Sequence, residues 1–274
     1  MLQRPIPSSG EMLPVIGMGT WKTFDVNPSG PESKNLLQVL DIFKGEGGKL
    51  IDTSPMYGNA ENAIGTLTTG AGIANSFFYA TKIWTNGKDA GIHQLESSMK
   101  KMRLILLDLV EIHNLLDWHT HIKTLRKWKD EGRVRYIGIT HYTVSSHEEL
   151  EKIIRSEKID FVQFNYSIGV RNAEIGLLPA AMERGIAVII NEPLEKGHLF
   201  NRVMGKSLPP WATENGMSNW SQFFLKYILS HPGVTCIIPA TSNPDNMLAN
   251  MSAGSCELPD ERMKRKMVQW LENI

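Results

Sequence analysis

The sequence predicts a (β/α)8 barrel (TIM barrel), and three observations favour it. The chain has 274 residues, close to the roughly 250 that such a barrel needs. Eight short apolar runs alternate with longer amphipathic segments, the order that builds a parallel sheet covered by helices. Most runs are continuously apolar, as in parallel strands buried on both faces. We therefore expect one domain over residues 1–274, with an open doubly wound sheet as the structural alternative.

The predicted strands run in order along most of the chain. They are Val15–Thr20, Lys49–Thr53, Phe77–Ile83, Leu107–His113, Tyr136–Thr140, Phe161–Asn165, Ala187–Asn191 and Thr235–Pro239. Before the first strand, Pro5–Leu13 contains Ser8-Ser9-Gly10, which is typical of a turn. This segment predicts an N-terminal hairpin that caps the barrel floor.

Six segments predict helices from their apolar spacing and end residues. They are Ala90–Arg103, Thr120–Glu131, Ser145–Ser156, Leu177–Arg184, Asn219–Leu229 and Asp260–Glu272. Gly132 and Gly185 directly follow two of them, at the position where a glycine often ends a helix. Glu195–Gly216 is rich in Gly, Pro and Asn and predicts a long irregular loop. Because it follows the seventh strand, it should lie over the active face.

The composition argues against several partners. Lys plus Arg and Asp plus Glu both number 29, so a net charge of zero gives no reason to expect nucleic acid or an anionic membrane. No apolar run suggests a signal peptide or a membrane span. Cys236 and Cys256 lack metal or redox spacing, which favours a reducing cytoplasm. The oligomeric state stays open, and a monomer is compatible with the sequence.

Polar residues end three successive predicted strands, where barrel enzymes carry their catalytic groups. Asp52 ends KLID, Lys82 ends FFYATK and His113 ends LDLVEIH. Tyr57 follows Asp52 by five residues, in a loop whose Pro and Gly favour a tight turn. Each residue alone also has an ordinary structural explanation, such as a cap, a packed ring or a solvated charge. Their occurrence on successive strands favours one shared site.

This combination suits the reduction of a carbonyl group. The carbonyl oxygen gains negative charge and needs a proton, which a tyrosine hydroxyl can supply. The free tyrosine pKa is ~10, and a nearby ammonium such as Lys82 should lower it. An aspartate can orient that ammonium, and a neutral histidine can donate a hydrogen bond to the carbonyl oxygen.

A series of motifs in matching order resembles the aldo-keto reductase superfamily over nearly the whole chain. The motifs are GMGTW (Gly17–Trp21), IDTSPMYGNAE (Ile51–Glu61), ATKIW (Ala80–Trp84), EIHNL around His113, GITHY (Gly138–Tyr142), QFNYS (Gln163–Ser167), EPLEKGHLF (Glu192–Phe200) and IIPATSNPDNMLAN (Ile237–Asn250). The resemblance implies an NAD(P)H-dependent enzyme that reduces aldehydes or ketones to alcohols. It implies that Tyr57 is the general acid, that Lys82 tunes it, that Asp52 pairs with Lys82, and that His113 orients the substrate.

The resemblance also implies which residues bind the cofactor. They are Thr20, Trp21, Asp52, Thr140, His141, Gln163, Asn191, Pro193, Leu194, Gly197, Leu199, Arg202, Thr241, Asn246 and Asn250. Thr140 and His141 replace the usual Ser-Asn pair, and Asn191 replaces a tyrosine that stacks on the nicotinamide in many members. We therefore expect a weaker hold on the nicotinamide than in those members.

At the adenine end, two basic residues common in the family are missing. Ala240 and Thr241 stand in place of Lys-Ser, and Asn246 replaces the arginine five positions later. NADPH is the expected cofactor, but the loss of two positive charges weakens that preference and makes NADH an alternative. Arg202 either compensates from the loop that usually covers the pyrophosphate or is an ordinary solvated arginine.

Aromatic residues and His113 are expected to line the substrate pocket. Trp21 and Trp84 should wall it, and Trp118 either joins them or packs in the core. His119 and His121 have the His-x-His spacing of barrel metal hydrolases, but they lie at a predicted helix start rather than a strand end. We therefore expect no bound metal, and a metal-dependent hydrolase is the third hypothesis for this chain.

The second hypothesis is a barrel that binds a nicotinamide cofactor but catalyses little, acting as a regulatory or redox-sensing subunit. The departures at Thr140, His141, Asn191 and Asn246 motivate it. The complete Asp, Tyr, Lys and His set argues against it, because a sensor has no need of the acid. Carbonyl reduction is therefore the leading hypothesis.

Overall fold

The computed structural model describes residues 1–255 and 257–274; Cys256 lies outside the described residues. Its strands are β1 Gln3–Pro5, β2 Met12–Pro14, β3 Met18–Gly19, β4 Leu50–Asp52, β5 Phe78–Ile83, β6 Leu107–His113, β7 Val134–Thr140, β8 Phe161–Asn165, β9 Ala187–Asn191 and β10 Cys236–Ile237. From β3 to β10 the strands pair in parallel in chain order. Parallel bridges from Ile16 to Ile237 and from Gly19 to Ala240 join the two ends of this sheet. The predicted barrel is confirmed.

Helices surround the sheet and connect its strands. They are α1 Ser33–Gly45, α2 Ala60–Gly70, α3 Lys88–Met102, α4 Trp118–Asp130, α5 His147–Ser156, α6 Leu177–Arg184, α7 His198–Arg202, α8 Pro210–Glu214, α9 Trp220–Leu229, α10 Pro244–Ser252 and α11 Glu261–Glu272. Within the described part of the chain, none of them is both long and apolar enough to cross a membrane.

The sequence predictions missed several of these helices. They omitted α1, although its buried residues Leu36, Val39, Leu40 and Phe43 have a clear helical spacing. They also omitted α2, which is rich in Gly and Thr, and the nine-residue α10. The expectation that 195–216 is irregular was wrong, because α7 and α8 lie within it. Each has only five residues, too few for a periodic pattern to be recognised.

The lower part of the barrel interior is filled by an apolar cluster. Its members are Ile6, Leu13, Leu50, Phe78, Ala80, Leu109, Tyr136, Phe161, Ala187, Ile189, Cys236 and Ile238. Ile6 and Leu13 come from the hairpin of β1 and β2, and both are buried. The hairpin therefore closes the end of the barrel from which the strands start, as predicted.

Arg4 ties this hairpin to the last part of the sheet. Its guanidinium donates hydrogen bonds to the backbone carbonyls of Leu229, at the end of α9, and of His231 and Val234, which precede β10. The hairpin thus contacts both the interior of the barrel and the connection that leads into its last strand.

Replacing Ile6 with alanine should lower the free energy of unfolding by about 2–5 kcal/mol. The side chain is fully buried, so its removal leaves a cavity in the barrel floor. Urea denaturation would measure the loss. Leu2→Ala is the matched control, because Leu2 is 39% exposed and should tolerate truncation. Equal stability of the two variants would show that the hairpin is not part of the core.

Candidate active site

The alternation of side chains along the strands brings the polar residues together. Leu109 belongs to the apolar cluster inside the barrel, so Glu111 and His113, two and four residues later, face the same side. The same step of two leads from Ala80 to Lys82 on β5. A polar layer therefore lies directly above the apolar floor cluster, at the carboxyl ends of the strands.

Lys82 lies at the centre of this layer and is fully buried. Its Nζ donates to Asp52 Oδ2 at 2.6 Å and to the carbonyl of Thr53 at 3.0 Å, and it lies 3.7 Å from Glu111 Oε2. Burial by itself lowers the pKa of Lys82, but the charges of Asp52, Tyr57 and Glu111 outweigh it, and the pKa is raised. The lysine therefore stays charged in a dry environment.

Tyr57 lies beside this pair. Lys82 Nζ is 5.8 Å from the centre of its ring, and the ring meets His113 edge to face at 6.1 Å. The pKa of Tyr57 is raised to about 12: burial and, to a lesser extent, Asp52 and other nearby carboxylates raise it, and Lys82 only partly opposes them. The expectation of a lowered pKa was wrong, because burial outweighs the ammonium. The effect of Lys82 itself has the expected sign.

The loop that carries Tyr57 is fixed by its neighbours. Gly58 has a left-handed backbone (φ 60°), and a Cβ there would lie 2.2 Å from Asp25 Oδ1. Only glycine fits this position. The backbone N–H of Asn59 donates to the same Asp25 oxygen at 2.8 Å, and the Asn59 amide donates to the carbonyl of Val26. These contacts hold the tyrosine over the barrel mouth.

His113 is a neutral imidazole in this environment. Burial, together with the smaller effects of the charges of Lys82 and His141, lowers its pKa to about 3. Its Nδ1 lies 3.3 Å from the hydroxyl of Ser54, which accepts a long hydrogen bond from the N–H of Met56. When Ser54 donates to Nδ1, the ring proton sits on Nε2. Sequence reasoning missed Ser54, although it lies in the same motif as Asp52.

Gln163 links the two carboxylates to the residues predicted to hold the nicotinamide. Its Nε2 donates to Asp52 Oδ2 and to Glu111 Oε2, both at 2.9 Å. Its Oε1 accepts from the Thr140 hydroxyl at 3.1 Å and from Asn191 Nδ2 at 3.3 Å. The amide of Gln163 is thus engaged on both sides. The buried Oδ1 of Asn191, by contrast, has no hydrogen-bond partner among the described residues.

Glu111 is the second residue of the site that sequence reasoning missed. It is fully buried, and its Oε1 has no partner within residues 1–255 and 257–274. Burial raises its pKa to about 8; Lys82 opposes this increase, and Asp52 adds to it. The indication was available in LDLVEIH, where a charged residue interrupts an apolar strand two positions before His113.

Aromatic side chains surround the mouth of the barrel. Trp21 and Trp84 are each 41% exposed, so their rings are available to a ligand. Lys196 Nζ lies over the rings of Trp21 and Tyr142, at 5.6 and 5.4 Å, and links two of the loops. Trp118 is half-buried, begins α4 and stacks on His119 at 3.7 Å.

The remaining predicted cofactor positions directly follow β3 and β7 or lie in the segments after β9 and β10. Thr20 is buried, and its hydroxyl donates to the carbonyl of Asp52. His141 is half-buried, and its Nδ1 accepts the N–H of Tyr142 at 3.0 Å. Pro193, Leu199, Thr241 and Asn250 are buried, while Leu194 and Gly197 are half-buried.

The N-terminus of α10 carries no compensating positive charge of its own. The side chain of Asn243 accepts from the N–H groups of Asp245 and Asn246, and the acidic Asp245 lies in the first turn. Asn246 is exposed. The guanidinium of Arg202 donates to the carbonyl of Leu271 in α11 and is therefore engaged there.

His119 and His121 lie on α4 and not at a strand end. His121 is buried, and its Nε2 lies 2.7 Å from the carbonyl of Thr85. In the part of the chain that the structure describes, no group of three or more His, Cys, Asp or Glu side chains is arranged to hold a metal ion. His121 thus contacts the backbone, and His119 stacks on Trp118.

Several curated proteins and solved structures are similar to this chain. Methylglyoxal reductase YeaE of Escherichia coli is 26% identical over 250 residues, covering 88% of this chain and 86% of that protein. An aldo-keto reductase of Klebsiella pneumoniae in complex with NADPH superimposes with a TM-score of 0.84 at 21% identity, over 99% of this chain and 96% of the other. A second structure from that organism, with NADP and acetate, gives 0.82 at 20% identity over 96% and 93%.

A comparison with protein families agrees with these pairwise similarities. The sequence model described as "Aldo/keto reductase family" matches residues 15–267, from the segment that leads into β3 to the middle of α11. It thus spans every strand of the barrel and the whole polar layer. The chain belongs to the aldo/keto reductase family.

Proposed function

We propose that this chain reduces a small aldehyde or ketone to the alcohol with a nicotinamide cofactor, with Tyr57 as the general acid. The observation that carries the proposal is the fully buried Lys82–Asp52 pair beneath the ring of Tyr57, beside a neutral His113. The relative from Escherichia coli is named a methylglyoxal reductase, and solved relatives bind NADPH or NADP. The first fact supports a small carbonyl substrate, and the second supports a nicotinamide cofactor.

The bound nicotinamide would supply a hydride to the carbonyl carbon. As negative charge grows on the carbonyl oxygen, Tyr57 donates its hydroxyl proton to that oxygen and becomes a tyrosinate. The Lys82 ammonium stabilises the tyrosinate, and Asp52 holds Lys82 in place. His113 donates a hydrogen bond from Nε2 to the same oxygen and orients the substrate.

The raised pKa of Tyr57 is compatible with this role. At neutral pH the hydroxyl is fully protonated, so the acid form is always present. Lys82 lowers the pKa, which means that it favours the tyrosinate formed when the proton leaves. The charge of Lys82 therefore acts on the product of the proton transfer more than on the resting tyrosine.

The residues at the ends of β7 and β9 fit the carboxamide of a nicotinamide. The buried, unpartnered Oδ1 of Asn191 can accept a hydrogen bond from the amide nitrogen. The hydroxyl of Thr140 and the ring of His141 lie at the end of β7, which β8 separates from β9. We propose that these residues hold the carboxamide and that Trp21, Trp84 and Trp118 wall the substrate pocket. Gln163 then supports them from below.

A steady-state assay tests the proposed function. The purified chain is titrated with NADPH and NADH by fluorescence and then given methylglyoxal, nitrobenzaldehyde and simple ketones. We expect cofactor oxidation that depends on the carbonyl compound. Tight cofactor binding without turnover on any substrate would favour a regulatory or redox-sensing barrel instead.

Replacing Asn246 with arginine should tighten NADPH binding relative to NADH by about tenfold or more. A charge-assisted bond to phosphate contributes ~1.5–3 kcal/mol, and the resemblance places Asn246 where the family grips the 2′-phosphate. Fluorescence titration of both cofactors measures the ratio. Leu248→Arg adds the same charge at an exposed position of α10 and is the control. If both variants shift the ratio equally, only the general charge of the helix matters.

A further inference from the structure

Among the residues that the structure describes, Glu111 is the acidic group inside the barrel that the proposed mechanism does not use. It is fully buried, and its Oε2 lies 3.7 Å from Lys82 Nζ and accepts from Gln163 at 2.9 Å. An isolated carboxylate in such a place costs several kcal/mol. Asp52, with a contact of 2.6 Å, already neutralises Lys82. The structure therefore contains two carboxylates for one ammonium.

We propose that Glu111 is a positioning residue whose charge sets how strongly Lys82 acts on Tyr57, through its contacts with Lys82 and Gln163. This inference rests on the proposed reductase function. When Glu111 is protonated, the cluster of Asp52, Lys82 and Glu111 has no net charge. The positive charge of Lys82 can then stabilise the tyrosinate form of Tyr57. With Glu111 ionised, the cluster carries a net negative charge, which opposes formation of the tyrosinate.

The hydrogen bonds indicate where the proton of Glu111 resides. Oε2 accepts the N–H of Gln163 and faces the ammonium, so it acts as an acceptor. Oε1 is buried and has no partner anywhere in the described ranges, so it is the oxygen free to carry a proton. Protonation at Oε1 thus leaves both contacts of Oε2 intact. The charge of Glu111 can change while the geometry of the site is retained.

Glu111 also affects the site through Gln163, whose side-chain amide it helps to orient. Its two amide hydrogens are shared between Asp52 and Glu111, which turns its Oε1 toward Thr140 and Asn191. This orientation leaves Asn191 Oδ1 free for a ligand. Glu111 therefore helps to present the atoms that we propose contact the nicotinamide carboxamide.

Few titratable groups within the described residues face Glu111. They are Lys82 on β5, Asp52 on β4 and Tyr57 in the loop after β4, with His113 as the next inward residue of β6 itself. The neighbouring β7 contributes Gly138, which does not titrate. Since the pKa of His113 is far below neutral, Glu111 is the group that changes charge between neutral and moderately alkaline pH.

The proposal predicts that kcat for carbonyl reduction falls as the pH rises through the titration of Glu111, near pH 8. The sign follows from the mechanism, because the ionised carboxylate disfavours the tyrosinate. Glu111→Gln keeps an oxygen acceptor for Gln163 but stays neutral, so the step in the pH profile near 8 should disappear. Infrared difference spectroscopy should show a protonated carboxyl band in the wild type that vanishes over the same pH range and is missing from the variant.

Glu61→Gln is the matched control for this experiment. Glu61 is also buried and also has a raised pKa, but its Oε1 accepts from Thr81 on the outer side of β5. The control should keep the step in the pH profile. If Glu111→Gln keeps it as well, or if the infrared titration of the wild type has a midpoint well away from the kinetic one, the proposal is wrong. The comparison of the infrared and kinetic midpoints uses only the wild type, so it tests the proposal even if Glu111→Gln fails to fold.

The infrared measurement also separates the two proposals. If no carbonyl compound is reduced but the Glu111 band titrates as expected, the proposed function fails and the charge change of Glu111 stands. If reduction is observed and no protonated carboxyl is found at neutral pH, the inference about Glu111 fails and the reductase function stands.

Discussion

Replacing Tyr57 with phenylalanine should lower kcat/KM for carbonyl reduction by about 10²–10⁴-fold while leaving cofactor affinity unchanged. The variant loses the proton donor, whose contribution to such reactions is of this size. It keeps the ring, whose edge-to-face contact with His113 does not involve the hydroxyl. Steady-state kinetics with the best aldehyde, together with fluorescence titration of the cofactor, would measure both quantities.

Tyr79→Phe is the control for the tyrosine variant. The hydroxyl of Tyr79 donates to the carbonyl of Ala74, outside the barrel interior, so its removal should have little kinetic effect. Full activity of Tyr57→Phe on every substrate of the native enzyme would rule out Tyr57 as the acid.

Replacing Lys82 with methionine should affect both stability and turnover. It leaves Asp52, 2% exposed, without its charged partner in the barrel interior. Removing one partner of a buried ion pair typically costs about 3–5 kcal/mol. Turnover should also fall, because the Lys82 ammonium no longer stabilises the tyrosinate form of Tyr57. Urea denaturation and steady-state kinetics would quantify the two losses.

The double variant Lys82→Met with Asp52→Asn separates these two effects. It removes the unpaired carboxylate, so much of the lost stability should return. Activity should not return, since the ammonium is still missing. If the single Lys82→Met variant is as stable as the wild type, hydrogen bonds from water or Gln163 must fully offset the cost of the unpaired Asp52 charge.

The sequence predicted the barrel and the positions of Asp52, Lys82 and His113 near strand ends, because both depend on local patterns. The strands are buried on both faces, so their apolar runs stand out, and each run ends at the residue where the polar layer begins. His113 and Lys82 could be placed by strand ends alone. Helix α1 had an equally clear pattern but was missed, whereas α7 and α8 are too short to have one.

What the sequence did not predict depends on distances between strands. Whether Lys82 or burial dominates the pKa of Tyr57 is decided by how deeply the ring is packed. The contact of Glu111 with Lys82 follows from their pairing in the register of β5 and β6. The double role of the Gln163 amide requires Asp52 and Glu111 to lie on either side of it. None of these relations is encoded in the spacing of residues along the chain.

The closure of the sheet has a consequence during synthesis of the protein. The bridges that complete the ring join Ile16 to Ile237 and Gly19 to Ala240, and Arg4 reaches the segment just before β10. A nascent chain that has not yet reached residue 240 thus exposes unpaired backbone on β3 and β9. Such exposed edges invite pairing with other chains. The growing polypeptide is therefore most at risk of aggregation until its last quarter has left the ribosome.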